Sequence, residues 1–449
     1  MRTSGSELRE ALVQNVRVSG EALIADLADG RTITVPLAWF PRLAHGTPEE
    51  RSHWRVTGGG EAIHWPDLAE DISVESLLAG RRSGETQESL RGWLECRRSS
   101  PMPPPEVILD RWVKERGSRH ESGFSGYLGT LDIERVESPS FRSFLYLIRD
   151  AMNEALRLEG PNASGGIEHP PFHFDYIDVE HGIKNAHAFQ YAGLSFIAVT
   201  LPMVELIWDV SHRLSRSRLV LELLKLGPEV NRDAFQGLLF QVQLNFLVSH
   251  EYTHHIHGHV LERTLGQTGV WSEFSNQATP GNLQSQAQEL DADGYAGFLV
   301  LAHLLRGERR NTALAQCGRA ELQGADGDEL LLTCFFLSLL AFFCSFWRGA
   351  IDTASIYHLP HPLPPVRITY AIRVAEMWCG QNRSVPQTWF NADRFRELFH
   401  AAAETVGEDA RKAWNTQIAF LRRADGAEYD RRLGEKFESV RRKLNGVYS

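Results

Sequence analysis

The stretch "FLVSHEYTHHIHGHV", Phe246 to Val260, sets one histidine at position 250 and four more among the six positions from 254 to 259. Histidine, aspartate and glutamate can hold zinc through nitrogen or oxygen, and a catalytic zinc keeps three protein ligands and leaves a fourth position to water. On a helix, residues four apart have Cβ atoms about 5–6 Å from one another, so His250 and His254 can grip one ion from the same face. Glu251 lies about 100° further round the helix, off the chelating pair but within reach of a water at the metal. This is the H-E-x-x-H arrangement, in which the glutamate is the general base of a metalloprotease. Val248, Ser249, Tyr252 and Thr253 are uncharged, as a half-buried active-site helix requires.

A third histidine in the H-E-x-x-H-x-x-G-x-x-H spacing needs glycine at 257 and histidine at 260. The chain has His257 and Val260, so that pattern fails. Downstream, "QAQELDADGYAGFL" offers Glu289 with Asp293 one helical turn on. Glu289 is the expected third ligand, and Asp293 the expected acceptor for a ligating imidazole. Ala287, Leu290, Ala292 and Ala296 make the surroundings apolar, where a lone acid is costly; Asp291 fits a solvated face better. His257, seven residues after His250, is expected to line the cleft or compete for the metal. His255 and His259 are expected to point elsewhere, toward polar surface or a supporting role.

This ligand set resembles that of the gluzincins, zinc peptidases that use two histidines and a glutamate. H-E-x-x-H-x-x-x-x-H (His250 to His259) followed by E-x-x-x-D (Glu289 to Asp293) is similar to the family that includes HtpX and the prenyl-protein CAAX proteases. That family carries a His-Pro and then Arg-Ile after the acidic helix, and "HLPHPLPPVRITYAI" supplies His361, Pro362, Arg367 and Ile368. The resemblance implies a zincin-like peptidase domain, a bound Zn2+, and an oxyanion-stabilising role for His361, with Tyr357 and Tyr295 weaker candidates. The membrane members have several spans around the motif, which this chain lacks. Soluble bacterial zincins of the ImmA type and the phage-exclusion protease Lit resemble the motifs comparably well.

The elements that must position these residues differ along the chain. In residues 1–98, "ALIADLADGRTITVPL" reads as a hairpin around Asp-Gly, and "RLAHGTPEERSHW" as a short helix opened by a Thr47/Glu50 capping box. "WRVTGGGEAIHWPDL" reads as a second strand–turn–strand unit and "DISVESLLAG" as a closing helical turn. These segments, with "SGETQESLRGWLE", resemble the small bacterial module catalogued as domain of unknown function 2442, often encoded beside toxin–antitoxin-type genes. The resemblance implies a compact α+β fold with a binding or scaffolding role, and packing roles for His64 and Trp65. The proline-rich "SSPMPPPE", residues 99–106, is the expected linker. Residues 107–449 are then the peptidase domain, mainly helical with a small sheet. Its helices are expected up to Gly160, from Asn231 through Val260 and from Asn282 through Arg306. "FDYIDVEH" and "AFQYAGLSFIAVTL" are its strong strand candidates.

Composition narrows the function classes. A formal charge of −10 with no block of basic residues excludes a general grip on nucleic acid, and the tail from Arg431 to Gly446 interleaves acids and bases as a solvated helix does. Five cysteines, odd in number and without a CxxC pair, read as reduced thiols of a cytoplasmic protein. The first twenty residues have no apolar core of a secretory signal. Leu330 to Trp347 is a run of 18 uncharged residues, about 27 Å of helix and at the lower edge of a membrane span. With Thr333, Ser338 and Ser345 in it and no second candidate, a buried core helix is expected. The whole reads as an α+β chain: a cytoplasmic zinc metalloendopeptidase acting on a protein or peptide. Residues 1–98 would recruit substrate or partner, in bacterial stress or phage defence. The alternative is a zinc-stabilised scaffold of antitoxin type without proteolysis.

Overall fold

The computed structural model describes residues 11–57, 60–99, 103–118, 124–159, 170–180, 182–260, 270–272, 282–346, 351, 355–382 and 385–447. Gly160, Trp347, the glycine turn at 58–59 and residues 100–102 lie outside them. The chain is α+β, with a small N-terminal sheet module followed by a mainly helical region that carries a small sheet. It divides into two compact units, the first running to Ile108 and the second taking almost all of the rest.

The first unit holds two three-stranded antiparallel sheets. Strands β1 (Val13–Val18), β2 (Ala22–Leu27) and β3 (Thr32–Pro36) form one sheet. Leu23, Ala25 and Leu27 alternate inward along β2 and are fully or almost fully buried. Gly30 closes the β2–β3 turn at φ +87°, a conformation open to glycine without steric cost. After α1 (Pro41–His45), α2 (Pro48–Ser52) opens on a reciprocal cap. Thr47 N–H donates to Glu50 Oε2 at 2.8 Å, and Glu50 N–H to Thr47 Oγ1 at 3.3 Å. Strands β4 (Arg55–Thr57), β5 (Ala62–Trp65) and β6 (Glu70–Ser73) make the second sheet. The segment from Asp71, expected as a helical turn, therefore begins as strand; only from Val74 does it become α3 (Val74–Leu78), capped by Ser73. Trp65 is fully buried and its indole donates to Arg51 O at 2.9 Å; His64 Nδ1 lies 2.8 Å from Asp71. Helix α4 (Gln87–Ser99) follows, and Pro105 then opens α5 (Pro105–Ser118), so both ends of the proline-rich segment are helical.

In the second unit, β7 (Tyr127–Thr130), α6 (Pro139–Glu159), β8 (Phe172–Val179), β9 (Ala186–Tyr191) and β10 (Leu194–Thr200) precede the helices. With β11 (Val270–Ser272) at one edge, the sheet order is β11-β9-β10-β8-β7, with β10 parallel to β8 and the two edge strands antiparallel to their neighbours. "AFQYAGLSFIAVTL" is a hairpin and not one strand, because Ala192 and Gly193 take φ of +49° and +75°, the signature of a two-residue I′-type turn. β7 and β11 (Val270–Ser272) span four and three residues, too short for a period-two signal. Helices α7 (Leu201–Arg216), α8 (Arg218–Leu223), α9 (Arg232–Ile256), α10 (Leu283–Leu304), α11 (Gly307–Gln316), α12 (Gly324–Cys344), α13 (Pro364–Asn382), α14 (Ala392–Val406), α15 (Glu408–Leu421) and α16 (Ala424–Val447) complete the unit. α9 is buried along almost its whole length, and α10 packs against α9, α13 and α16.

Among the described residues α12 is the one helix long and apolar enough to cross a membrane, and 89% of its apolar window is buried inside the fold. Leu331, Leu332, Phe335, Phe336, Leu337 and Leu339 are fully covered by the same core that α7 and α9 enter.

Candidate metal centre

Two helices bring the candidate ligands together. Asn231 caps α9 by accepting from the N–H groups of Asp233 and Ala234, each at 3.0 Å. Asn282 and Ser285 cap α10 reciprocally at 2.9 and 3.0 Å. Four-residue spacing on α9 stacks His250 above His254, and Glu289 faces them from α10. His250 Nε2 lies 3.0 Å from His254 Nε2 and 3.3 Å from Glu289 Oε2; His254 Nε2 lies 3.6 Å from Glu289 Oε1. All three side chains are buried. Zinc–ligand bonds of about 2.0–2.1 Å at the tetrahedral angle put donor atoms about 3.3 Å apart. The three donors therefore match one face of such a shell in chemistry and in spacing.

Each candidate ligand is held from behind. Asp293 Oδ1 lies 3.0 Å from His250 Nδ1. Arg367, on α13, donates from Nε and Nη2 to Asp293 Oδ2 and Oδ1, both at 2.7 Å, and stacks 4.6 Å over the Phe343 ring. Gly294 permits that approach, because a Cβ there would stand 2.8 Å from Tyr370 Cε1 on α13. Burial alone would raise the Asp293 carboxyl, but Arg367 and His250 outweigh it and hold the group below its usual range. Burial likewise opposes the charge on Glu289, and His361, His250 and His254 hold that carboxyl well below the ordinary value. Glu251 is itself buried, on the turn of α9 that carries His250.

His361 reaches the cluster from the loop before α13, with Nδ1 2.9 Å from Glu289 Oε2. Nδ1 thus faces the carboxylate, and Nε2 is the ring nitrogen left for an oxyanion role. The loop is anchored by Gln286, one turn before Glu289. Its Nε2 donates to Ile356 O and Leu359 O at 2.9 Å each, and Tyr429 OH donates to Gln286 Oε1 at 2.7 Å. Tyr295 lies against His257, ring centroids 4.9 Å apart, and Tyr357 against Tyr429 at 5.8 Å.

Two expectations are corrected. Asp291 is not on a solvated face: its side chain is 11% exposed, with Oδ2 2.5 Å from His257 Nδ1 and 3.5 Å from His259 Nε2. The imidazoles of His257 and His259 offset its burial and hold its carboxyl low. His259, expected on polar surface or in a supporting role, is not on the surface but lies beside His254. Helix α9 stops at Ile256, and Gly258 takes φ +75°, which swings the chain back and sets His259 Nδ1 3.0 Å from His254 Nδ1. The signal was Gly258 itself, a glycine at the position that ends helices in the left-handed conformation. His255 does point elsewhere, its Nε2 2.9 Å from Phe196 O on β10.

Fold and site together define a helical unit, with a small sheet, whose core holds a His-His-Glu cluster able to take a metal ion. Residues 13–83 match the family described as Protein of unknown function (DUF2442). No curated protein and no solved structure matches the chain.

Proposed function

We propose that the second unit is a zinc-dependent metalloendopeptidase of gluzincin type, acting on a protein or peptide substrate in the cytoplasm. The observation that carries this reading is the convergence of His250, His254 and Glu289 within one buried triangle, with Glu251 next in sequence to a ligand. When bound, zinc would polarise the scissile carbonyl and acidify the attacking water. His250, His254 and Glu289 would hold the ion, while Asp293 steadies the His250 ring and Arg367 steadies Asp293. Glu251 takes the proton of the attacking water and passes it to the leaving amine, so general acid–base transfer resides in one carboxylate. His361, beside Glu289, would serve the developing oxyanion as a donor, for which its ring carries the hydrogen on Nε2. The N-terminal module recruits the substrate or a partner.

Glu251→Gln tests the reading, because it keeps the size of the side chain and the ligands but removes the base. Proteome-wide comparison of N-termini in cells producing the wild type or Glu251→Gln should reveal neo-termini that only the wild type generates. On a cleaved peptide, hydrolysis should fall by about 10²–10⁴-fold, the usual worth of a general base, at unchanged zinc content. A Glu251→Gln chain with full biological activity would replace the peptidase by a zinc-stabilised scaffold.

A further inference from the structure

That reading leaves His257, His259 and Asp291 without a part. Their ligand atoms lie within 4.8 Å of one another, so they could pass for a second metal cluster. Two observations assign them otherwise. First, the 2.5 Å between His257 Nδ1 and Asp291 Oδ2 is a direct hydrogen bond, well inside the spacing of about 3.3 Å that donors keep around one tetrahedral zinc. Second, His259 Nδ1 faces His254 Nδ1 at 3.0 Å, which couples the trio to the ligand triangle through one proton.

The tautomers follow from that contact. If His254 Nε2 is to offer its lone pair to a metal, the neutral ring carries its hydrogen on Nδ1. Nδ1 then donates to His259 Nδ1, which must accept. His259 consequently carries its own hydrogen on Nε2, the ring atom that lies 3.5 Å from Asp291 Oδ2. A cation on His259 Nε2 would have to displace that hydrogen and leave the ring an imidazolate. We propose that His259 and Asp291 are positioning residues for the ligand His254. They form a carboxylate–imidazole–imidazole chain that fixes its tautomer and ring plane, and they take no second ion while the first is held. Asp293 does the same for His250 in a single step, so each histidine ligand has its own acidic anchor on α10. The break at Gly258 serves this purpose, since a continuous helix would carry His259 about 140° round from His254.

This inference rests on the metal reading of His250, His254 and Glu289, and its test separates the two. Zinc is titrated into the full chain against a chromophoric chelator, for wild type, His259→Leu, His259→Gln, Asp291→Asn and His257→Ala. The wild type should hold one zinc. His259→Leu and Asp291→Asn should still saturate at one, with affinity lower by about 10–100-fold, as for other outer partners of metal ligands. His259→Gln offers a carbonyl that can accept from His254 Nδ1, so it should recover most of the affinity lost in His259→Leu; a purely space-filling role would not distinguish them. Asp291→Asn is isosteric and guards against a folding defect at 259. Two zincs on the wild type with one lost in His257→Ala would make the trio a second site and overturn the proposal. So would wild-type affinity in His259→Leu and Asp291→Asn, with the ligand triangle left standing. A wild type that holds no zinc overturns both readings at once.

Discussion

Arg367 is the side chain on which the architecture behind the ligands turns, and replacing it with methionine makes a quantitative test. The guanidinium is 3% exposed and meets a fully buried Asp293 through two hydrogen bonds of 2.7 Å. Arg367→Met keeps an apolar stem beside Phe343 but takes the guanidinium away from Asp293, whose carboxylate is left beside His250 Nδ1 at 3.0 Å. Breaking one side of a buried ion pair typically costs about 3–5 kcal/mol, because the survivor keeps its desolvation cost. At about 1.4 kcal/mol per decade, that is roughly a 10²- to 10³-fold or larger rise in the opening equilibrium of α10 and α13. Asp293→Asn strands the guanidinium instead and should cost a similar amount. The double variant removes both charges, so its loss should fall short of the sum by about 3 kcal/mol, a coupling within the range of directly interacting residues. Amide hydrogen exchange of the metal-free proteins, followed by mass spectrometry on peptides from residues 283–304 and 364–382, reads these openings in place. The separate core of residues 11–77 then serves as an internal reference. Additive single losses, or an Arg367→Met chain within about 1 kcal/mol of wild type against the expected cost, would refute the reasoning.

Other outcomes follow from the same geometry. The Asp293 carboxyl is held below its unfolded value near pH 4, so the stability it adds is fully present above about pH 4 and is lost as pH falls through the lower folded value. In chelator, the stability gap between wild type and Asp293→Asn should therefore hold steady from about pH 5 to 7 and close below pH 4; a gap that widens in acid would contradict this. Cys317, Cys334, Cys344 and Cys379 are buried. Burial pushes the Cys344 thiol up to about 12, and a hydrogen bond with Cys317 together with burial raises Cys334. Alkylation of the native chain should spare these four and reach them only in denaturant, and rapid labelling of any of them in the folded state would show the core misread. Tyr429→Phe removes the donor to buried Gln286 Oε1 and should cost about 1–3 kcal/mol. Faster exchange is expected first in peptides covering 355–361, and unchanged exchange there would disconnect α16 from the His361 loop.

What could be read in the sequence was whatever obeys a single local period. The i, i+4 spacing of His250 and His254 and of Glu289 and Asp293 survives folding because both pairs sit inside long, capped helices. The Thr47/Glu50 box and the Asp29-Gly30 turn are equally local. What could not be read depends on where a helix stops or on what crosses the chain. Continuing α9 to Val260 sent His259 the wrong way, and with it Asp291, whose partners come from the segment after the break. Arg367 fell within a recognised pattern, but its bond to Asp293 spans 74 residues and has no local signature. Gln286 and Tyr429 stand 143 residues apart. β7 and β11 owe their strand state to neighbours in the sheet more than to their own three or four residues.

A count of buried charge links the ligand triangle to its surroundings. Glu251, Glu289 and Asp293 place three carboxylates inside the fold, and the buried guanidinium of Arg367 lies beside two of them, Asp293 and Glu289. Arg367 is committed to Asp293 at 2.7 Å and stands 3.8 Å from Glu289, so the imidazoles of His250, His254 and His361 lie closer to the latter. Each uncompensated buried ion costs several kcal/mol even after relaxation. A divalent cation held by His250, His254 and Glu289 would offset buried carboxylate charge at this point of the fold. A site kept only for structure would gain from closing with a fourth neutral or thiolate ligand. Yet Cys317, Cys334, Cys344 and Cys379 all lie in the apolar core, and the residue beside His250 is a buried glutamate. Retaining Glu251 there adds charge that a scaffold has no use for, whereas hydrolysis needs a base at that point of the helix.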